Sequence, residues 1–121
     1  MLWNGHPKLS DKQLGRVVRY AVLYCGLVVT ATNDGVHASG SYHYKNRAVD
    51  LGVRDGIAGT AAGLRRLKRA QIRIRKHFGD AFFTEYFGPY NDQCVRNGRR
   101  INLAEGTPLE NQHDNHIHVA R

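Results

Sequence analysis

The chain has 121 residues, 41% of them apolar, enough for one domain with a modest core. Its 18 Lys and Arg against 10 Asp and Glu leave a net charge of +8, which asks for an acidic partner, whether nucleic acid or an anionic cell wall. No apolar run of about 18 residues occurs, which excludes a membrane-spanning helix, and residues 1–7 lack the basic start and apolar stretch of a secretion signal, so a chain made in the cytoplasm is expected.

Ser10 reads as the N-cap of a first helix, with Gln13 completing a capping box. Leu14, Val17, Val18, Ala21, Val22 and Cys25 recur at helical spacing, and Gly26 supplies the stop. Residues 27–32 are β-branched and predict a strand. Residues 33–46 predict a loop, long for so small a domain, and long loops are often functional. Over residues 48–53 the alternation turns Val49, Leu51 and Val53 to the core and Asp50 to the other side. Residues 60–78 predict a second helix, ended by Gly79, with Leu64, Leu67, Ile74 and Phe78 as its apolar stripe. The aromatic residues 82–87 predict a strand, 88–109 a loop with a hairpin at Asn97-Gly98, and 116–120 a final strand. Cys25 and Cys94 are expected as free thiols, and without a CxxC pair zinc held by thiolates is not expected.

Seven histidines is a high count for this length, and their placement carries the chemistry. His116 and His118 are two apart on a predicted strand and therefore share a face. Two imidazoles side by side against a buried strand need a metal, an acid or water. Upstream, His43 sits in the loop, seven residues before Asp50 on its strand. A carboxylate on the non-core face of an apolar strand is either a partner for Arg47 or another cation, or a ligand. Catalytic zinc sites take three protein ligands from His and Asp or Glu, and one His and one Asp from the first cluster plus one His from the second make such a set.

The pattern Ser41-x-His43, then Asp50, then a distant His116-x-His118 resembles the zinc peptidases related to D-alanyl-D-alanine carboxypeptidases. That superfamily includes phage endolysin peptidases, the penicillin-insensitive murein endopeptidase and the Hedgehog domain. The likeness covers residues 10–120 in outline and 40–53 and 113–119 in detail, and residues 113–119 are especially similar to the murein endopeptidase ending. It implies one zinc ion held by His43, Asp50 and His118, and hydrolysis of a peptide bond in bacterial peptidoglycan. Where family members often carry Gly, this chain has Asn46, which tolerates the same left-handed backbone. Residues 30–34 lack the Arg that grips a substrate carboxylate in many members, which favours an endopeptidase over a carboxypeptidase. Asn115 stands where the carboxypeptidases of the group carry an acidic base. The resemblance therefore implies His116 or His113 as the base; His116, beside the metal, would take the proton with His113 orienting it or stabilising an oxyanion, and Asp114 is the alternative base. Ser41, Tyr42, Tyr44 and His37 surround the first ligand and are candidates to line the substrate groove.

The helix over 60–78 holds Arg65, Arg66, Lys68, Arg69, Arg73, Arg75 and Lys76 with no acid. It reads as a solvated face or as a surface for anionic wall polymers or lipid headgroups. The lack of aromatic residues between Leu64 and His77 disfavours nucleic acid. The expected protein is α+β: a small, mostly antiparallel sheet carrying the zinc site, flanked by helices, in one domain over 1–121. It is expected to be monomeric and to act on the cell wall in the manner of an endolysin, which fits a phage-encoded origin. The rival from another class is an inactive zinc-holding domain that binds cell wall or protein.

Overall fold

The computed structural model describes residues 1–35, 37 and 40–121. Helix α1 spans Lys12–Cys25. Its N-cap is Asp11, one residue later than expected: the carboxylate Oδ1 accepts from the backbone N–H of Gln13 at 2.8 Å and of Leu14 at 2.9 Å. A charged acceptor at the positive end of a helix satisfies two otherwise unbonded donors, so it displaces the Ser10–Gln13 box. The helix ends at Gly26, whose φ of 67° is left-handed.

Strand β1 covers Val28–Ala31 and β2 Ala48–Gly52. Helix α2, Ala61–Phe78, is capped by the Thr60 hydroxyl. Its buried side runs through Gly63, Leu67, Ala70, Gln71, Ile74 and Arg75. Leu64, expected on that stripe, is 41% exposed. The reason is Gly63, where a Cβ would stand 2.1 Å from the Ile57 carbonyl oxygen. The first turn of the helix sets its glycine against the segment that leads into it, and Leu64, the next residue, faces outward.

The expected strand over 82–87 shortens to β3, Glu85–Phe87, because Asp80–Phe82 forms a 3-10 turn. The expected loop 88–109 holds more order than its composition suggests. A 3-10 turn at Asn91–Gln93 leads into β4, Cys94–Arg96, and β5, Arg99–Ile101. The Asn97-Gly98 hairpin joins them with both residues at positive φ, as a two-residue turn of this kind requires. A third helix, α3 at Pro108–Gln112, begins with Thr107 as cap and Pro108 in the first turn. Strand β6 is Ile117–Ala120.

The fold is α+β: the described residues form three helices and six strands in the order β1-β2-β6-β3-β4-β5, every pairing antiparallel. Register sets two faces. Val49, Leu51, Ile117, Val119 and Tyr86 point to one side and form the main core with Val17, Val18 and Ala21 of α1 and Leu67, Ala70 and Ile74 of α2. Asp50, His118, Glu85 and Phe87 point to the other. Both cysteines are buried free thiols. Among the described residues no helix is long and apolar enough to cross a membrane.

Candidate metal centre

Asp50 and His118 are directly opposite each other on β2 and β6, the two adjacent central strands of the sheet. His43 reaches them from a tight turn over residues 41–47. There the Ser41 hydroxyl accepts from the His43 N–H at 3.2 Å, the Tyr42 carbonyl accepts from the Arg47 N–H at 2.9 Å, and Asn46 takes a left-handed φ of 58°. The same Asn46 side chain accepts from Asn33 across the loop. A bulge in β1 between Val29 and Ala31 bends the far side of the site, with Thr32 buried just beyond it.

Three ligand atoms converge. His43 Nε2 lies 3.1 Å from His118 Nδ1 and 3.1 Å from Asp50 Oδ1, and His118 Nδ1 lies 3.2 Å from Asp50 Oδ1. The outer nitrogen of each ring has an acceptor: His43 Nδ1 donates to the Thr32 carbonyl at 2.6 Å, and His118 Nε2 to the Glu85 carboxylate at 2.8 Å. Both imidazoles therefore turn a lone pair toward Asp50 Oδ1. Such a triangle must hold a cation, either a proton on His118 or a metal ion. Tetrahedral coordination with bonds near 2.0–2.1 Å puts ligand atoms about 3.3–3.4 Å apart, close to the spacing found here.

The electrostatics agree. Burial by itself would raise the Asp50 carboxyl, but hydrogen bonds and charge from His118 and His43 hold it well below the ordinary carboxylate range. Burial by itself would lower His118, but Asp50 on one side and Glu85 on the other pull it up to about 9. The hydrogen bond from His118 outweighs burial at Glu85 and lowers it too. The site thus favours positive charge where the three ligand atoms meet.

His37, His43 and Asp50 form a looser group, with one ligand atom each within 4.8 Å of one another. His37 is the weaker third member. Its ring stacks on His43 at 3.9 Å with the planes 8° apart, so their in-plane lone pairs cannot meet on one ion. Its Nε2 is also bonded to the Asp34 carbonyl at 2.7 Å. Either way, a His-His-Asp group able to hold a metal ion is present.

His116 stands beside the triangle, its Nε2 3.9 Å from Asp50 Oδ1. Its Nδ1 donates to Asn115 Oδ1 at 2.8 Å, which leaves Nε2 as a free lone pair on the site side. Burial lowers its pKa and keeps it neutral, against the pull of Asp50. His113 is buried, donates through Nδ1 to the Leu109 carbonyl at 2.7 Å, and is pushed down to about 4 chiefly by burial. A neutral His113 with its one N–H bonded to Leu109 has only an acceptor left, so the expected oxyanion role does not fit this geometry. It packs edge-on against Phe87 and tilted against His116, which suits orientation.

A groove of about 800 Å³ runs over the cluster, and Ser41, Tyr42, His37, His113 and His116 line it. Asp114, the alternative base, is exposed on a bend and lies outside it. Tyr44 does not line it either; its hydroxyl accepts from the His37 N–H at 2.8 Å and donates to the His37 carbonyl at 3.1 Å, bracing the loop instead. Among the described residues the charged groups lining the groove are Asp34, Asp50 and Glu85, with no Lys or Arg. Sequence reasoning misses Glu85. The available signal is the one that marks Asp50, an acid inside a short run of core-forming residues. His6 is bonded to Asp34 at 2.7 Å, and Asp34 in turn accepts from the Thr32 N–H at 3.0 Å. That chain fixes the carbonyl on which His43 rests.

No family model, no curated protein and no solved structure matches this chain.

Proposed function

We propose that this chain is a zinc-dependent endopeptidase of bacterial peptidoglycan. The observation that carries the reading is the convergence of His43 Nε2, His118 Nδ1 and Asp50 Oδ1 within 3.2 Å, with both rings tied from behind. Two imidazole nitrogens and one carboxylate oxygen suit zinc among the common divalent ions. Bound there, zinc would supply Lewis acidity, polarising a scissile carbonyl and making water a nucleophile near neutral pH.

This chain's residues do the rest. His116 Nε2 takes a proton from the attacking water and returns it to the leaving amine as the C–N bond breaks. Asn115 holds the tautomer that makes Nε2 the acceptor. His113 packs against His116 and limits its swing. Ser41 and Tyr42 hold the turn that carries His43 and form one wall of the groove.

The choice of an internal bond rests on the groove. A carboxypeptidase needs a cation for the free terminal carboxylate, and among the described residues none lines it. The choice of peptidoglycan rests on the motif resemblance and on the charge of α2. Arg65, Arg69, Arg73 and Lys76 are carried there, on the face of the sheet away from the groove, and are suited to attract anionic wall polymers. Arg75 does not contribute: it is buried, with Nη1 2.9 Å from Asp80 and Nε 2.9 Å from Gln93.

The deciding experiment is digestion of purified sacculi by protein of known zinc content, with products identified by mass. Release of cross-link or stem-peptide fragments, abolished by a chelator and restored by zinc, is expected. A zinc-loaded protein that releases nothing would reduce the reading to a binding domain.

A further inference from the structure

His118 can offer either ring nitrogen to an ion, and a strand buried on both sides does not by itself decide which. The decision comes from β3. Phe87 pairs with His118 across the β3–β6 ladder and Glu85 with Ala120, so Glu85 is the diagonal neighbour of His118 on the same face. Its Oε1 lies 2.8 Å from His118 Nε2, while Nδ1 faces His43 and Asp50 on the opposite edge of the ring. A carboxylate can only accept, so Nε2 must carry a proton, and in the neutral ring that a metal ion requires Nδ1 is left with the lone pair. The geometry points to Glu85 as the positioning residue that locks His118 with Nδ1 toward the metal and Nε2–H toward the carboxylate. This rests on the metal-site reading and extends it to a residue outside the sequence motif.

The arrangement does two things. It orients the ring, whose Nε2 would otherwise be free to turn toward Asp50 by a flip about its side-chain bond. It also makes Nδ1 more basic, because a carboxylate behind an imidazole returns electron density to the ligand nitrogen. His43 has only a neutral carbonyl, that of Thr32, in the same position. Of the two histidines, His118 is therefore the one whose binding strength depends on a side chain that can be replaced.

The test uses the full chain with Glu85→Ala and Glu85→Gln. Zinc affinity is measured by competition with a chromophoric chelator, and histidine ring ¹⁵N shifts are recorded on the zinc-loaded parent. Glu85→Ala should weaken zinc binding by about 10- to 100-fold, the range for loss of such an outer partner. Glu85→Gln, whose amide oxygen can still accept from Nε2–H, should lose less. In the parent, His118 should bind through Nδ1 and keep its Nε2 proton, and His43 should bind through Nε2. Circular dichroism in excess chelator checks that each variant folds; if the alanine variant does not, the glutamine variant and the parent's ring shifts decide. Unchanged affinity in both variants, or His118 bound through Nε2, overturns the role of Glu85 and leaves the metal site standing. A parent that binds no zinc overturns both.

Discussion

Strands β2 and β6 are buried on both faces, and the two faces are buried by different chemistry. On the helix side Val49, Leu51, Ile117 and Val119 meet α1 and α2 carbon to carbon. On the other side a small apolar cluster, Phe87, Cys94 and Leu103, borders a patch of histidines and carboxylates. The first face gains stability roughly in proportion to the area it hides. The second hides groups whose transfer from water is costly, and recovers that cost only through their mutual bonds and a cation among them. One face makes the fold, and the other uses the stability so gained to hold polar groups where they would not sit unaided.

Neighbouring residues on one strand test this division most directly. Asp50→Ala should reduce zinc from near one per chain to background and abolish hydrolysis, and it should also lower the melting temperature in chelator at neutral pH, because His43 and His118 lose their buried counter-charge. Leu51→Ala, one residue on, should lower stability by about 2–5 kcal/mol in denaturant titration, with zinc stoichiometry intact at temperatures where it is folded. Zinc retained in the first variant, or lost in a folded second one, would collapse the distinction.

Within the polar face, His116→Ala should separate reaction from binding. Zinc content should hold while hydrolysis falls by about 10²-fold or more, the scale of a lost general base. Loss of zinc in this variant would make His116 a ligand.

The helix side has its own outward charge. Replacing Arg65, Arg66, Arg69, Arg73 and Lys76 of α2 with Gln should weaken co-sedimentation with sacculi and flatten its salt dependence, since surface attraction is screened beyond about 8 Å at physiological ionic strength. Cleavage of a small neutral muropeptide should be unaffected. Equal sedimentation of parent and variant at low and high salt would leave α2 a solvated surface only.

The smallest effect concerns where α1 begins. Asp11→Ala should cost about 1 kcal/mol in thermal or chemical unfolding and Ser10→Ala almost nothing. The reverse order would restore the cap to Ser10.

The alternation in residues 48–53 and 116–120 makes the two faces legible in the amino-acid sequence, since period two assigns each side chain to a side. Alternation does not say what covers a side. Glu85 escapes it because its role depends on β3 lying against β6, a pairing made by residues more than thirty apart in sequence. Residues 88–109 read as loop because three-residue strands leave no periodicity to detect, although Asn97-Gly98 marks the hairpin and Thr107-Pro108 the start of α3. Leu64 falls on the expected apolar stripe because helical spacing counts large side chains, while the close approach here is made by Gly63, which has none.

The position of β6 in the sheet has a consequence for synthesis. In space it lies between β2 and β3, but in sequence it follows every other strand. A nascent chain therefore carries two separate pieces, β1–β2 and β3–β4–β5, until residues 117–120 have been made. During that interval β2 and β3 each present an open edge to any other strand nearby, the usual starting point for misassembly. The strand that closes the gap also brings His118, so the seam and the proposed metal ligand arrive together. A ribosome-bound chain stalled before residue 117 should neither resist protease nor take up zinc, and both properties should appear in one step once that strand has emerged.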